Sequence, residues 1–337
     1  MKFAIEWTRD RLGIVALLAA LLVATLHRAE GGDLFPASAL SSPPAQQPGV
    51  EVGFYFIDYR VERIEAQLDE MTSRLQAAPR YVMFYRDLGR PFWRPLCDVI
   101  RDHGAVPVVS MELWRWRDAE RNQLPAIARG DWDPYFRTWA GDARKYGDPV
   151  FLRFGFEMNG DWFSWSGQPE TFIAAWRRIH GIFEEVGADN VRWVFSPNNV
   201  SVPDREENSI PKYWPGDDYV DWLGVDGYNF GDHHDQWHTW QMFDEVFAQV
   251  LDLYAKERPL LPVMISEFGC APGEPGQRAA WIQDASLAIA RRPQIKAAIW
   301  FHYDKRREGE PNWSFWDDEA EVRAFRSGFF PGFTTER

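Results

Sequence analysis

Two glutamates in this 337-residue chain lie where apolar, strand-like segments end. Glu157 follows a segment that reads FLRFG, and Glu267 follows one that reads PVMIS. A glutamate beside an apolar strand needs a partner or a function, because burying an unpaired carboxylate is costly. Glycosidic bond cleavage uses two carboxyl groups, one to protonate the leaving oxygen and one to attack or stabilise the anomeric carbon. The two glutamates are therefore candidates for a catalytic carboxyl pair.

The elements that would position this pair are eight apolar runs with helical patterns between them. Strands that are buried on both faces need continuous hydrophobicity, and these runs have it. They cover residues 52–57, 81–85, 106–110, 150–154, 191–196, 222–226, 263–267 and 297–301. Helical patterns include residues 169–186, 240–256 and 277–291. Eight β–α alternations in roughly 285 residues predict one (β/α)8 barrel. An open doubly wound sheet is the main alternative, but no glycine-rich phosphate loop follows the first strand.

In such a barrel the chemistry lies at the carboxyl ends of the strands. The side chains at the predicted ends are polar, acidic and aromatic, as in a carbohydrate site. They are Asp58, Tyr59, Arg60, Arg86, Asp87, Glu112, Trp114, Trp116, Glu157, Asn159, Asn198, Asn199, Asp226, Tyr228, Glu267, Trp300, His302 and Tyr303. Strands four and seven lie on opposite sides of a barrel mouth. A retaining mechanism would need their two carboxyl groups about 5–5.5 Å apart.

Composition narrows the class of partner. The net charge of −13 argues against a nucleic acid. Aromatic residues make up 16% of the chain, with 18 tryptophans, which predicts flat surfaces that stack on sugars; a tryptophan-rich core is the alternative. The two cysteines, Cys97 and Cys270, have neither a disulfide-framework pattern nor zinc-site spacing. Two buried free thiols are expected, and a single bridge is the alternative.

The first fifty residues differ from the rest. Basic residues precede an apolar run at 12–26, which is shorter than the ~20 residues of a full membrane span. We expect residues 1–28 to be a signal peptide or an uncleaved signal anchor. Residues 29–49, rich in Pro, Ser, Gly and Gln, are expected to be a disordered linker, followed by the catalytic domain at 50–333. This arrangement predicts an extracytoplasmic protein, secreted or periplasmic, with possible attachment to the inner membrane.

Several motifs resemble one family. The segment FLRFGFEMNGDWFSW resembles the fourth-strand motif of glycoside hydrolase family 26, the β-mannanase family, which typically reads R-x-x-H-E-M-N-G-x-W-x-x-W. VRWVFSPNN is similar to the fifth strand of that family, YWPGDDYVDWLGVDGYN to its sixth and PVMISEFG to its nucleophile strand. These matches are collinear over residues 150–270.

The resemblance implies a role for each matching residue. Glu157 would be the acid/base and Glu267 the nucleophile of a retaining glycosidase. Tyr228 would hydrogen-bond the nucleophile, and Arg153 would orient the carboxylates unless it forms a purely structural ion pair. The full predicted substrate-binding set is Trp162, Trp300, Tyr228, Asp226, Asn159, Arg153, Glu112 and Trp114, with Trp162 and Trp300 stacking on sugars. Arg86 is expected to be structural.

Two features of the sequence bear on the substrate and on a metal site: the residue before the acid/base and a histidine-rich segment. Phe156 stands where the family has histidine directly before the acid/base, which puts mannan in doubt as the substrate and predicts a changed sugar subsite. The run GDHHDQWHTW at 231–240 contains His233, His234 and His238, but it follows strand six, where a loop that contacts substrate is expected. A cleft wall or a solvated loop is therefore favoured over a metal site, and neither metal nor cofactor is expected.

Together these observations predict a retaining endo-β-glycoside hydrolase of an extracytoplasmic polysaccharide: a β-mannan, β-glucan, xylan or exopolysaccharide. Double displacement would begin with attack by Glu267 while Glu157 donates a proton. Two alternatives remain. One is a transglycosylase or editing enzyme of exopolysaccharide synthesis, and the other is a catalytically silent carbohydrate-binding protein.

Overall fold

A computed structural model of the chain describes residues 50–56, 60–233 and 238–330. Within them, eight parallel strands close into a barrel in chain order, β1 to β8, and the last strand pairs with the first through Glu51 and Ala297. The (β/α)8 prediction is confirmed. The predicted signal or anchor at 1–28 and the linker at 29–49 lie outside the described residues. None of the described helices is both long and apolar enough to cross a membrane.

All eight predicted strands are present, with ends that shift by a few residues. The strands are β1 Glu51–Tyr55, β2 Tyr81–Asp87, β3 Val106–Glu112, β4 Val150–Phe154, β5 Val191–Phe195, β6 Trp222–Asn229, β7 Val263–Cys270 and β8 Ile295–Phe301. The helices are α1 Val61–Leu75, α2 Arg94–Asp102, α3 Leu124–Arg129, α4 Asp133–Tyr146, α5 Pro169–Val186, α6 Phe243–Glu257, α7 Gln277–Ala290 and α8 Glu319–Phe329.

The helix α5 shows how local sequence sets these elements. Proline at its first turn costs no hydrogen bond, because the first amide groups of a helix have no partner inside the helix. Gly187 ends it in the left-handed conformation that glycine tolerates. Its buried positions recur at helical spacing and form one stripe against the barrel: Phe172, Ala175, Trp176, Ile179, Ile182 and Phe183.

The core has two layers separated by the sheet. Inside the barrel, β8 contributes Ala297, Ile299 and Phe301. Between the barrel and the helices, the same strand contributes Ala298 and Trp300. Six tryptophans are fully buried: Trp139, Trp165, Trp176, Trp281, Trp300 and Trp313. Part of the high tryptophan content therefore contributes to packing of the core, in addition to any tryptophans that form a binding surface. Cys97 and Cys270 are both buried and free, as expected.

Candidate active site

Glu157 lies three residues beyond the end of β4, in a turn that aims its side chain into the barrel mouth. Its φ of 50° is in the left-handed region, which a non-glycine residue adopts at a cost of order 1–3 kcal/mol. The turn is fixed to β5 because the Glu157 amide donates to the Ser196 carbonyl at 2.8 Å. Gly155 is also left-handed, at a φ of 58°, and a Cβ there would lie 2.7 Å from Leu113. The sequence around Glu157 thus permits a strained turn that presents a carboxyl group.

Neutral donors hold the Glu157 carboxyl group. Asn198 Nδ2 donates to Oε1 at 2.9 Å, and Trp162 Nε1 donates to Oε2 at 2.7 Å. The indole passes directly over Gly160, where a Cβ would lie 2.5 Å from its ring. Burial raises the pKa of the Glu157 carboxyl to about 7, and the charge of Glu267 adds to this rise, while the bonds from Asn198 and Trp162 oppose it. A carboxyl group with this pKa can give and take a proton near neutral pH.

Glu267 reaches the same mouth through a bulge in β7. The pairing of β6 with β7 runs from Val225–Ile265 to Asp226–Glu267, so one extra residue, Ser266, is inserted in β7. Ser266 points into the barrel, where its hydroxyl lies 3.0 Å from that of Ser196. In a regular strand the next side chain, that of Glu267, would then face outward. The bulge lets both adjacent side chains face inward.

Charged and phenolic donors hold the Glu267 carboxylate. Tyr85 donates to Oε1 at 2.6 Å, Arg153 Nη1 donates to the same oxygen at 2.8 Å, and Tyr228 donates to Oε2 at 2.6 Å. Burial raises the pKa of both tyrosines well above the usual value, and the Glu267 charge adds to it, so both phenols keep their protons and remain donors. Together these three donors fix the orientation of the Glu267 carboxylate.

Arg153 lies beneath the mouth and is fully buried. Besides Glu267, its guanidinium donates to Asp226 and to the Ser110 and Ser196 hydroxyls. Burial alone would lower the pKa of Arg153, but the carboxylates of Asp226 and Glu267 outweigh this effect and raise it. The guanidinium therefore stays charged and bonds Glu267 from below, without reaching the surface that a substrate would contact.

The ring of Phe156 covers this arginine from the side. It lies 5.0 Å from the Arg153 guanidinium and 5.4 Å from the ring of Tyr85. Phe156 is only 3% exposed and also packs against Phe163 and Trp165. Replacement of the family histidine by phenylalanine thus changes the packing and polarity below the site, and the ring itself does not form a sugar-contacting wall.

Four predicted substrate-binding residues are inaccessible, because Arg153, Asp226, Asn159 and Trp300 are all 0% exposed. Asn159 uses its amide to hold the segment after β5, accepting from the Asn198 amide at 2.8 Å and donating to the Asn198 carbonyl at 3.0 Å. By holding Asn198, it positions the donor to Glu157. Asp226 is the buried partner of Arg153.

The prediction that Trp300 stacks on a sugar is wrong. Its indole donates to the Trp313 carbonyl at 2.9 Å and packs against Phe268 and Phe315 between the barrel and its helices. Alternate residues of a strand face opposite sides, so the adjacent residue, Phe301, faces the barrel interior instead. The Phe301 ring lies 5.7 Å from Tyr228 and stacks on Tyr55 at 4.3 Å.

The remaining predicted residues lie at the mouth. Trp162 and Trp114 are partly exposed, and the Phe163 ring lies between them, at 6.5 Å and 5.4 Å respectively. Glu112, at the end of β3, is paired in register with Asp87. Burial raises the pKa of Glu112 to about 7, and the Asp87 charge contributes. Arg86 is structural, with its guanidinium over the Trp93 ring and a bond to the Pro91 carbonyl.

The histidine-rich segment was the candidate metal site. His233 contacts the Gly309 carbonyl at 2.9 Å, His238 stacks on Phe230 at 4.4 Å, and His234 lies outside the described residues. Throughout the part of the chain that the structure describes, no three His, Cys, Asp or Glu side chains group in a way that could hold a metal ion.

Two residues that contact the carboxyl pair were absent from the predicted set. Tyr85 lies on β2 in the inward series of Tyr81, Met83 and Tyr85, whose two-residue spacing is visible in the sequence. Asn198 follows β5 and appeared among the strand ends, but nothing in its spacing indicated that it donates to Glu157. The structure supplies that pairing.

Comparison with known proteins gives concordant results. Residues 136–260 match the model of the family described as Glycosyl hydrolase family 26. Endoglucanase H of Acetivibrio thermocellus is 33% identical over 247 residues, which are 71% of this chain and 26% of that protein. The mannan endo-1,4-beta-mannosidase A and B of Caldalkalibacillus mannanilyticus is 32% identical over 119 residues, which are 32% of this chain and 22% of that protein. The chain thus spans about a quarter of the length of these relatives.

Solved structures show the same fold. A GH26 β-mannanase from Bacteroides ovatus superimposes with a TM-score of 0.59 at 17% identity, covering 83% of this chain and 88% of that one. A modular endo-β-1,4-mannanase from Cellulomonas fimi gives 0.59 at 17% identity, covering 83% and 70%. The resemblance inferred from the four strand motifs is confirmed.

Proposed function

Because the chain carries a catalytic domain of glycosyl hydrolase family 26, we propose that it is a retaining endo-β-glycoside hydrolase. The observation that carries this proposal is the unequal environment of the two carboxyl groups at one barrel mouth. Glu157 is held by neutral donors and has a pKa of about 7, whereas Glu267 is held by a buried guanidinium and two phenols. The first group is suited to exchange a proton. The second is held by three donors in a fixed orientation from which it can attack.

The two steps of a double displacement follow from these environments. In the first, Glu157 gives its proton to the leaving oxygen as Glu267 attacks the anomeric carbon, so the glycosidic bond breaks and an ester bond to Glu267 forms. In the second, the Glu157 carboxylate takes a proton from water, whose oxygen attacks the anomeric carbon and releases Glu267. The proton that Glu157 lost in the first step is regained in the second.

We propose β-glucan as the favoured substrate, with β-mannan as the second candidate. The relative named endoglucanase H matches over 71% of the chain, whereas the mannosidase matches over 32%. Phe156, next to the acid/base, supports a change from mannan because it puts a buried apolar ring where the mannanase motif has histidine. We further propose that the protein acts outside the cytoplasm, for which the composition of residues 1–28 is the support.

Hydrolysis of soluble mixed-linkage β-glucan, β-mannan and β-1,3-xylan, with Glu267→Ala as the comparison, tests this function. We expect the variant to lose roughly 10⁴-fold or more in kcat, since a nucleophile removed from a coupled catalytic set costs that much. A 2-fluoro glycosyl fluoride should label the wild type on Glu267, as mapped by peptide mass spectrometry. Unchanged hydrolysis by the variant on every active substrate would overturn the proposal.

Product analysis separates the alternatives. A transglycosylase would form longer oligosaccharides at high acceptor concentration, whereas the proposed hydrolase releases shorter ones. A silent binding protein would bind glucan without being labelled by the fluoride. Covalent labelling at Glu267 together with net hydrolysis would exclude both.

A further inference from the structure

A tight turn beyond β3 holds a tryptophan out into solvent. Arg115 and Asp118 form an isolated antiparallel bridge, and the Asp118 amide donates to the Arg115 carbonyl at 2.7 Å. Trp116 and Arg117 therefore lie at the tip of the turn, and Trp116 is 72% exposed. In the described residues five large hydrophobic side chains are exposed, and Trp116 is the one aromatic among them. The other tryptophans of the described ranges are buried or half-buried.

The turn is fixed to the neighbouring strand end. The Trp116 amide donates to Asp87 Oδ2 at 3.2 Å, and Asp87, only 8% exposed, also pairs with Arg90 at 3.3 Å. The Leu88 amide donates to the Trp114 carbonyl at 2.8 Å, which joins the segments after β2 and β3. A rigid aromatic side chain loses little conformational entropy on binding, so an anchored, exposed tryptophan is suited to contact a ligand.

A row of partly exposed aromatic rings connects the acid/base to this turn. Trp162, which donates to Glu157, is followed by Phe163 and then Trp114, with centroids 6.5 Å and 5.4 Å apart. Trp116 is two residues beyond Trp114 in the chain, in the turn that follows β3. The row therefore leads from the candidate cleavage site toward the turn.

Beside Trp116 is an open surface hollow of about 510 Å³. Its lining includes the Trp116 indole, the side chains of Arg90, Arg115 and Arg117, and the carboxylates of Asp87 and Asp118. This volume lies within the roughly 300–1,000 Å³ that small-molecule sites occupy. A flat apolar face beside arginine donors and carboxylate acceptors matches a pyranose ring, which has an apolar C–H face and hydroxyl groups around its edge.

We propose that Trp116 is the platform of a distal subsite that binds a pyranose unit of the polysaccharide away from the point of cleavage. This inference rests on the proposed function and extends it. Arg117 and Arg115 would donate to the hydroxyl groups of that unit while its ring stacks on the indole. The subsite holds a long chain but contributes nothing to a substrate too short to reach it.

Chain-length dependence tests the subsite. For Trp116→Ala we expect KM on soluble mixed-linkage β-glucan to rise roughly 2- to 12-fold, the range that one aromatic contact supplies. On an aryl β-cellobioside, kcat/KM should be unchanged, and Trp116→Phe should keep most of the binding. Leu260→Ala is the matched control, because Leu260 is 95% exposed in the segment between α6 and β7, at the opposite end of the barrel.

A binding measurement separates failure of this subsite from failure of the proposed function. Affinity electrophoresis in β-glucan gels would compare Glu267→Ala with the double variant Glu267→Ala/Trp116→Ala. Weaker retention of the double variant supports the subsite even if Glu267→Ala proves fully active. Equal retention of the two, or an equal loss of activity by Trp116→Ala on long and short substrates, would overturn it.

Discussion

The ends of β4 and β7 both direct a glutamate into the barrel mouth, but they do so with different backbone irregularities and different hydrogen-bond donors. Each presents a glutamate to the barrel mouth by departing from regular strand geometry, β4 through a strained turn with φ of 50° at Glu157 and β7 through a bulge at Ser266. Around Glu157 the donors are an amide and an indole. Around Glu267 they are a guanidinium and two phenols. Identical side chains are thereby given different hydrogen-bond partners, neutral around Glu157 and partly charged around Glu267.

The two carboxyl groups are similarly buried but differ in the charge that lies beside them. Glu157 is 9% exposed and Glu267 is 4% exposed, so both have lost most of their hydration. Arg153 bonds Glu267 directly and Glu157 not at all. Neutral donors only partly offset the desolvation of Glu157, and its pKa rises. The variants that follow test this contrast from the largest expected effect to the smallest.

Glu157→Ala should separate acid catalysis from nucleophilic attack. On polysaccharide, whose leaving group needs a proton, we expect kcat/KM to fall roughly 10²- to 10⁴-fold. On a dinitrophenyl glycoside, whose leaving group needs none, the first step should persist, and added azide should restore turnover as a glycosyl azide. Stopped-flow release of dinitrophenol measures both. Equal losses on the two substrates would contradict the assignment of Glu157.

Glu157→Gln should stabilise the protein at alkaline pH. The pKa of Glu157 is about 7 in the folded state against 4.5 as the usual value, so below pH 4.5 the group is protonated in both states and has no effect. Between pH 4.5 and 7 the unfolded state releases this proton while the folded state keeps it, so the folded state loses stability, by about 3 kcal/mol once the pH exceeds 7. Glutamine removes that cost.

Urea unfolding of wild type and Glu157→Gln at pH 4.5 and pH 8 measures this effect. The difference in unfolding free energy between the two proteins should increase by about 3 kcal/mol from the lower to the higher pH. Any change in hydrogen bonding caused by glutamine is the same at both pH values and cancels. A difference that does not depend on pH would show that the Glu157 carboxyl is not raised in pKa.

The sequence allowed the barrel and the carboxyl pair to be predicted, because both depend on chain-order patterns. Continuous apolar runs predicted all eight strands, and collinear motifs predicted Glu157 and Glu267. The side of the sheet to which a given side chain points was less predictable. Trp300 points toward the helices, whereas the next residue, Phe301, points into the barrel, because a shift of one position along a strand reverses the direction of the side chain. The bulge that turns Glu267 inward leaves no mark in the strand pattern.

Contacts between side chains on distant strands could not be predicted from the sequence either. Tyr85 and Glu267 are 182 positions apart, and Asn198 and Glu157 are 41 apart. Asn159 and Asp226 were predicted to bind substrate because they lie at strand ends, yet both are fully buried and hold other residues in place. Strand-end position indicates that a residue is near the site; burial decides whether it touches the ligand.

Tyr228→Phe and Tyr85→Phe test how the nucleophile is held. Oε2 of Glu267 accepts a hydrogen bond from Tyr228. By contrast, Oε1 accepts from both Tyr85 and Arg153, so it retains the bond from Arg153 when the Tyr85 hydroxyl is removed. A hydrogen bond to a charged group contributes about 1.5–3 kcal/mol, so Tyr228→Phe should lower kcat roughly 10- to 150-fold. Tyr85→Phe should lower kcat by a smaller factor. Tyr303→Phe, which removes a hydroxyl bonded to Glu308, is the control.

Should Tyr85→Phe prove the more damaging variant, Arg153 would not be holding Oε1 as the structure indicates. Steady-state kinetics on β-glucan gives kcat and KM separately, and the loss belongs in kcat because the phenols contact the nucleophile. A change confined to KM would instead place Tyr228 among the groups that bind substrate.

Trp162→Phe should give the smallest effect and change the pH profile more than the maximal rate. The indole donates to Glu157 Oε2 at 2.7 Å and so favours its ionised form, opposing the effect of burial on the pKa. Without this donor the Glu157 pKa rises further, and the alkaline limb of kcat/KM moves to higher pH. Because phenylalanine keeps a flat ring for a sugar, the change at a fixed alkaline pH should be roughly tenfold or less. Trp114→Phe, at a ring that does not bond Glu157, should leave that limb in place; a shift to lower pH in Trp162→Phe would mean that the indole favours the protonated acid instead.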